Sequence, residues 1–282
     1  MYAHVNGVDL FFDVEGSALV PDGSAMVDKP TLVLLHGGPG CDHSYFKPWL
    51  SPLADQAQLV FVDHRGNGRS GRVDQTTYTI EQMADDLEAL RHHLGLGRIA
   101  VLGHSFGGMV AQVYALRHPQ SLSKLILSNT TPSAKFWDDA QDMAAKMATP
   151  EQLAVLPHLF KGTLTSQEDF DAWWATCIPL YFHQTSPETV NQVCTRMRGE
   201  VVVANYMMAH EIPHYDVRAS LTAVQVPTLV IAGRHDWVTP ISQSEAILQA
   251  LPAADLIVQE SSGHMGFIEE NEGYLAAVRA FL

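Results

Sequence analysis

Residues 101–112 read Val-Leu-Gly-His-Ser-Phe-Gly-Gly-Met-Val-Ala-Gln. Residues 98–103 have the apolar run of a buried strand and residues 106–118 the pattern of a helix, so Gly103-His104-Ser105-Phe106-Gly107 must turn sharply between them. Gly-x-Ser-x-Gly in that setting is a nucleophile elbow, in which the glycines let strand and helix approach closely around a strained serine. The turn lifts the Ser105 hydroxyl clear of the sheet. It also points the free N–H groups of the helix N-terminus at any oxyanion formed there. Glycine-rich turns holding a serine also arise by chance, but here both flanks supply the context the elbow requires.

Outward from the elbow, strands and helices alternate. Upstream, Tyr2–Val5 and residues 8–14 flank Asn6-Gly7, a strong hairpin signal. Residues 16–30 read as a polar loop. Thr31–Leu35 and Gln58–Val62 are continuous apolar runs, as expected of strands buried on both faces. Each ends in a glycine-rich loop, His36-Gly37-Gly38-Pro39-Gly40 and Asp63-His64-Arg65-Gly66-Asn67-Gly68-Arg69-Ser70, and residues 45–53 between them predict a short helix. Thr79 caps a helix whose Ile80, Met83, Leu87, Leu90 and Leu94 recur at helical spacing up to Gly95. Residues 122–127 predict the next strand. From 132 to 216 the rhythm changes to helices, over 136–148, 150–159, 166–177 and 187–208. The alternation then resumes with a strand at 228–232, a helix over 242–251, a strand at 255–259 and a last helix ending at Leu282. The pattern predicts an α/β fold with a mostly parallel, doubly covered sheet: a core of residues 1–131 and 217–282, and a helical cap inserted at 132–216.

The composition narrows the function. The 282 residues are 46% hydrophobic and 17% charged, an ordinary globular mix that can bury a large core. A formal net charge of −14 speaks against nucleic acid or an anionic membrane as partner. Cys41, Cys177 and Cys194 are odd in number and lack Cys-x-x-Cys spacing, so free thiols are expected rather than disulfides or a zinc site. No basic-then-apolar leader opens the chain and no run is long enough to span a bilayer, which predicts a cytoplasmic protein.

A serine hydroxyl needs an imidazole base, and the imidazole needs a partner that fixes its tautomer. After an elbow the expected order is serine, acid, histidine. Asp236, in Gly233-Arg234-His235-Asp236-Trp237, follows one strand, and His264, in Ser261-Ser262-Gly263-His264-Met265, follows the last. Alone, each reads as a loop residue. Together, at carboxyl ends of strands in an open sheet, they converge on one crevice, and Ser105, Asp236 and His264 become a candidate triad. His235 competes for the role of base from the wrong strand end. For the oxyanion hole the backbone N–H of Phe106 and of Gly38 are the candidate donors; the Gly38-Pro39 bond is open to cis, with trans as its default.

These motifs together resemble the α/β-hydrolase superfamily, and the His-Gly-Gly-Pro-Gly at 36–40 is similar to that of the proline iminopeptidase group. The likeness runs through residues 1–130 and 217–282. It implies the same triad and oxyanion hole, and a scaffolding role for Asp63 and Arg65. Members that trim amino-terminal proline hold the substrate ammonium with carboxylates from the cap and from beside the triad acid. Here Trp237 follows Asp236 and the cap stretch reads Val203-Ala204-Asn205-Tyr206; Glu200 and Glu211 lie nearby in sequence. A neutral site forfeits about 1.5–3 kcal/mol per missing charge-assisted contact.

Trp237, Trp137 and Tyr206 are therefore the candidate substrate wall, and at least one of the adjacent Trp173 and Trp174 is cap packing. His92-His93 closes a helix, where the dipole explains it. The expectation is a monomeric or homodimeric serine hydrolase, with no cofactor and no metal. It would cleave an ester, lactone or amide of a small, partly apolar molecule through an acyl-enzyme. The alternatives are a proline iminopeptidase-type aminopeptidase and a slow-turnover, hydrolase-derived ligand receptor.

Overall fold

Asn6 and Gly7 take positive φ, 46° and 75°, the turn whose twist suits a tight hairpin. β1 (Tyr2–Val5) accordingly folds back antiparallel on β2 (Val8–Glu15). The computed structural model describes residues 1–251 and 253–282. Residues 16–30 are not the expected loop: β3 (Leu19–Asp22) and β4 (Ala25–Asp28) form a separate exposed hairpin turned by Gly23. Neither strand buries a face, so no apolar alternation marks them in the sequence.

β5 (Thr31–Leu35) is buried at every position and β6 (Gln58–Val62) at all but its first, as their apolar runs require. Between them stand two short 3-10 turns, His43–Phe46 and Ser51–Asp55, where one helix was expected. Pro48 and Pro52 withhold the N–H groups a continuous helix would use. The Thr79 hydroxyl accepts from the Gln82 N–H at 3.1 Å and starts α1 (Ile80–His93). Then come β7 (Ile99–His104), α2 (Phe106–Arg117) and β8 (Leu122–Ser128). α2 is buried almost throughout, which explains why its sequence is apolar on all sides.

The helical excursion consists of α3 (Phe136–Met147), α4 (Pro150–Phe160), α5 (Gln167–Cys177), α6 (Pro187–Arg196) and α7 (Val201–Tyr206). Its ends are tied together: Val217 N–H donates to Pro132 O at 2.9 Å and Ala134 N–H to Tyr215 O at 2.7 Å. The single helix expected over 187–208 is broken into α6 and α7. The chain passes so close to the Phe170 ring at Gly199 that a Cβ there would lie 2.3 Å from it. The βα pattern resumes with β9 (Thr228–Gly233), α8 (Ile241–Ala250), β10 (Ala254–Gln259), α9 (Gly266–Glu269) and α10 (Asn271–Phe281).

Among the described residues eight strands form one sheet in the order β1-β2-β6-β5-β7-β8-β9-β10. β1, β2 and β6 pair antiparallel and the pairs from β6 to β10 are parallel. The carboxyl ends of β5, β7, β8, β9 and β10 therefore open on one edge, where a crevice forms in such sheets. No helix among the described residues is long and apolar enough to cross a membrane.

Candidate active site

Ser105 has φ 56° and ψ −121°, outside the regions comfortable for a residue with a Cβ. Strain of this kind costs about 1–3 kcal/mol and persists only where the surroundings enforce it. Here they do. Ser105 N–H donates to Ser128 O at 2.9 Å, and its carbonyl accepts from the Thr130 hydroxyl at 2.7 Å. A Cβ on Gly103 would fall 2.4 Å from Gly107 O, and one on Gly107 would fall 2.1 Å from Leu35 O. Only glycine lets strand and helix close on the serine this tightly.

Across the crevice, Nδ1–H of His264 donates to Asp236 Oδ2 at 2.8 Å, with both side chains buried. The same Oδ2 accepts from the Thr239 hydroxyl at 2.8 Å and Asn129 Nδ2 at 2.9 Å; Oδ1 accepts from the N–H groups of Val238 (2.8 Å) and Thr239 (3.0 Å). Burial alone would raise the Asp236 pKa. The adjacent imidazole and these donors outweigh it and hold the carboxyl below its ordinary value. The carboxylate stays ionised while fully surrounded, which fixes the His264 tautomer with Nε2 free to accept a proton.

A second chain of bonds joins three loops. Gly37 N–H donates to the Tyr45 hydroxyl oxygen at 2.6 Å, Tyr45 O–H donates to His104 Nδ1 at 2.8 Å, and His104 Nε2–H donates to His264 O at 2.9 Å. Burial, and next the proximity of the His264 imidazole, push the His104 pKa down to about 3, so the ring is neutral and the direction of the chain is set. The Gly37 N–H is thereby occupied and Pro39 has none. Gly38, with φ 119°, is the remaining nearby candidate donor from that loop. Phe106 opens α2, so its N–H has no acceptor within the helix. Of the two forms open to it, the Gly38-Pro39 bond takes cis, and Lys47-Pro48 is cis as well.

Ser105, His264, Gly38 and Phe106 line one cavity of about 40 Å³. Its roof is apolar, from Phe136, Leu159, Phe160, Trp174, Tyr181, Met197, Met208 and Ile212. No carboxylate stands among its described lining residues. The expected substrate wall is only partly there. Trp237 and Trp137 line a separate cavity of about 430 Å³ between α3 and α4. Tyr206 borders neither; its ring packs edge-on to Tyr78 at 6.2 Å, against the core instead of inward. Of the adjacent tryptophans, Trp174 lines the small cavity, whereas Trp173 donates from Nε1 to Val155 O at 3.0 Å within the helical layer.

The other candidates stand apart from the cavity. His235 stacks on His183 at 3.5 Å between ring centroids. Glu200 pairs with Arg72, and Glu211 is half-buried beside Ile80 with its pKa raised by burial. Arg65 makes a buried two-pronged pair with Asp86, at 2.6 Å in each prong. Asp42, His43 and Asp63 converge closely enough to hold a metal. They already have partners within the fold: Asp63 accepts from His43 Nδ1 at 2.6 Å and Asp42 pairs with Arg69 at 3.0 Å. Cys41 and Cys177 are buried free thiols; Cys194 is half-buried.

Sequence reasoning missed Tyr45, Asn129, Thr239 and the part played by His104. His104 sits inside the elbow motif, and Asn129 directly follows the neighbouring strand β8, so position gave a signal for both. Tyr45 carries no motif.

Residues 30–148 match the family described as alpha/beta hydrolase fold, and residues 195–282 match TAP-like protein. The chain is 32% identical over 270 residues to a proline iminopeptidase of Lactobacillus helveticus, covering 90% of each. Among solved structures it resembles an alpha/beta fold family hydrolase from Bacillus anthracis, with TM-score 0.81, 23% identity and coverage of 100% and 98%. It also resembles the enol-lactonase from Burkholderia xenovorans, with TM-score 0.77, 24% identity and coverage of 100% and 99%.

Proposed function

The chain belongs to the α/β-hydrolase family, and from that premise we propose that it is a serine hydrolase acting on an ester, lactone or amide of a small, partly apolar molecule. Ser105 Oγ attacks the acyl carbon while His264 Nε2 takes its proton. Asp236 holds the ring and stabilises the imidazolium as it forms. The N–H groups of Gly38 and Phe106 receive the oxyanion. The imidazolium returns its proton to the leaving group, and water activated by the same ring frees the acyl group. Residues 132–216 act as the cap over this site.

The observation that carries the reading is the buried 2.8 Å bond between His264 and Asp236, beside a cavity that Ser105 shares and that has no lining carboxylate among the described residues. An apolar, uncharged cavity favours a neutral acyl group over an ammonium-bearing one. A second reading, aminopeptidase activity, has the name of the Lactobacillus helveticus relative in its favour. Aryl esters and lactones assayed beside proline and alanine arylamides separate the two. The first reading expects ester turnover that is abolished by Ser105→Ala. Amide cleavage dependent on a free amino terminus would establish the second.

A further inference from the structure

The cavity at Ser105, about 40 Å³, has no room for an aromatic ring or an alkyl chain; an engineered cavity of about 150 Å³ is known to take a benzene. The neighbouring cleft measures about 430 Å³, within the ~300–1,000 Å³ range of small-molecule sites. Phe160 lines both. At each of three places the chain gives one residue to the inner cavity and the adjoining one to the outer cleft. The pairs are Phe136 and Trp137, Leu159 and Phe160, and Val238 and Trp237. Phe160 is the side chain that the two cavities share.

Phe160 is the part of the partition between them best able to move. Its ring is held edge-on by Trp137 at 4.7 Å, Trp237 at 5.9 Å and Trp173 at 6.1 Å, all aromatic contacts without a hydrogen bond to break. It is only partly buried and is the last residue of α4, three residues after Pro157, which has no N–H to give the helix. Gly162, at φ 63°, then turns the chain away. The outer cleft has a floor of buried Ala144, Leu156 and Trp237 and a mouth edged by exposed Gln141 and Lys161.

The geometry points to the outer cleft as the subsite for an apolar acyl group, a medium-length alkyl or aryl chain, joined to Ser105 when Phe160 swings aside. This rests on the serine-hydrolase reading above. The acyl side is assigned because the acyl group must stay bound through two chemical steps, whereas the leaving group departs after the first. Water-excluding retention of the chain is what an apolar cleft supplies.

The test is kcat/KM for p-nitrophenyl acetate, butyrate, hexanoate and octanoate on the wild type, Ala144→Leu and Phe160→Ala, with each variant's thermal unfolding recorded. Each added methylene up to hexanoyl should raise kcat/KM roughly twofold to fourfold. Ala144→Leu, which fills the cleft, should lower the hexanoate-to-acetate ratio, and Phe160→Ala, which removes the partition, should shift the optimum to longer chains. A parallel series of acetate esters with lengthening alcohols should show no comparable rise. Folded variants that keep the wild-type ratio would overturn the inference, as would a length dependence confined to the alcohol. Either result would leave the serine-hydrolase reading standing, because that reading fails only if Ser105 turns over no ester, lactone or amide.

Discussion

His104 donates from Nε2 to the main-chain carbonyl of His264 at 2.9 Å. The residue before the elbow serine thus holds the backbone of the loop that carries the proposed base, and through Tyr45 it is coupled to the loop that carries the proposed oxyanion donor. Three loops separated by most of the chain are set by one directed chain of hydrogen bonds. Its members are buried, so each unmade bond costs more than an exposed one would.

Tyr45→Phe removes the link that accepts from Gly37 and donates to His104. Two buried polar groups lose their partner, which should lower stability by about 1–3 kcal/mol. Because both the oxyanion loop and the base loop relax, kcat should fall more than KM rises. Steady-state kinetics with thermal unfolding checks both halves.

Asp236→Asn keeps the volume but presents an amide where five donors now converge on a carboxylate. The imidazole is expected to turn to the wrong tautomer, with kcat falling by roughly 10⁴ as in the chymotrypsin-type triad. Esterase assays on the purified variant, with circular dichroism to verify folding, measure it.

Asp63 accepts from the His43 backbone at 3.0 Å, His43 Nδ1 at 2.6 Å and Arg69 N–H at 2.9 Å. Burial opposes its ionisation, but the bond and charge of His43 prevail and lower its pKa from 3.8 to about 2. A carboxyl depressed on folding stabilises above its unfolded pKa, and that stabilisation is lost as pH falls through the folded value. Its contribution, about 2 kcal/mol, should be present at pH 6 and fade between about pH 4 and pH 2. Denaturant unfolding of wild type and Asp63→Asn across this range should show the gap between them narrowing as acid is added.

Glu269 joins the base loop to the end of the helical layer. It accepts from His183 N–H at 2.7 Å and Gln184 N–H at 2.8 Å on one oxygen, and from Gly263 N–H at 2.7 Å on the other. Glu269→Gln can keep the first two bonds but turns an amide NH₂ towards the third donor. It should cost about 1–3 kcal/mol and lower kcat by loosening the residue beside His264. Amide exchange at Gly263 and His264 should quicken in the variant.

Much of this was legible in the sequence because it rests on local rules. Thr31–Leu35 and Gln58–Val62 announce buried strands by unbroken apolar runs, and the elbow glycines announce a close approach that the geometry requires. Asp236 and His264 could be paired from chain order together with their places after two strands. The rest depends on contacts distant in sequence. Tyr206 reads as substrate wall, but it borders neither cavity and packs on Tyr78, a contact distant in sequence. The β3–β4 hairpin buries no face, so it leaves no apolar pattern. Trp137 and Trp237 do come together, but behind Phe160, and no periodicity in the chain encodes a partition between two cavities.

The central claim is that the hydroxyl at 105 is the nucleophile. Intact-mass measurement after incubation with a fluorophosphonate tests it most directly. The account predicts one adduct on the wild-type chain, mapped to the peptide containing Ser105 and absent from a folded Ser105→Ala variant. An unlabelled wild type, or an adduct that persists in Ser105→Ala, would contradict it.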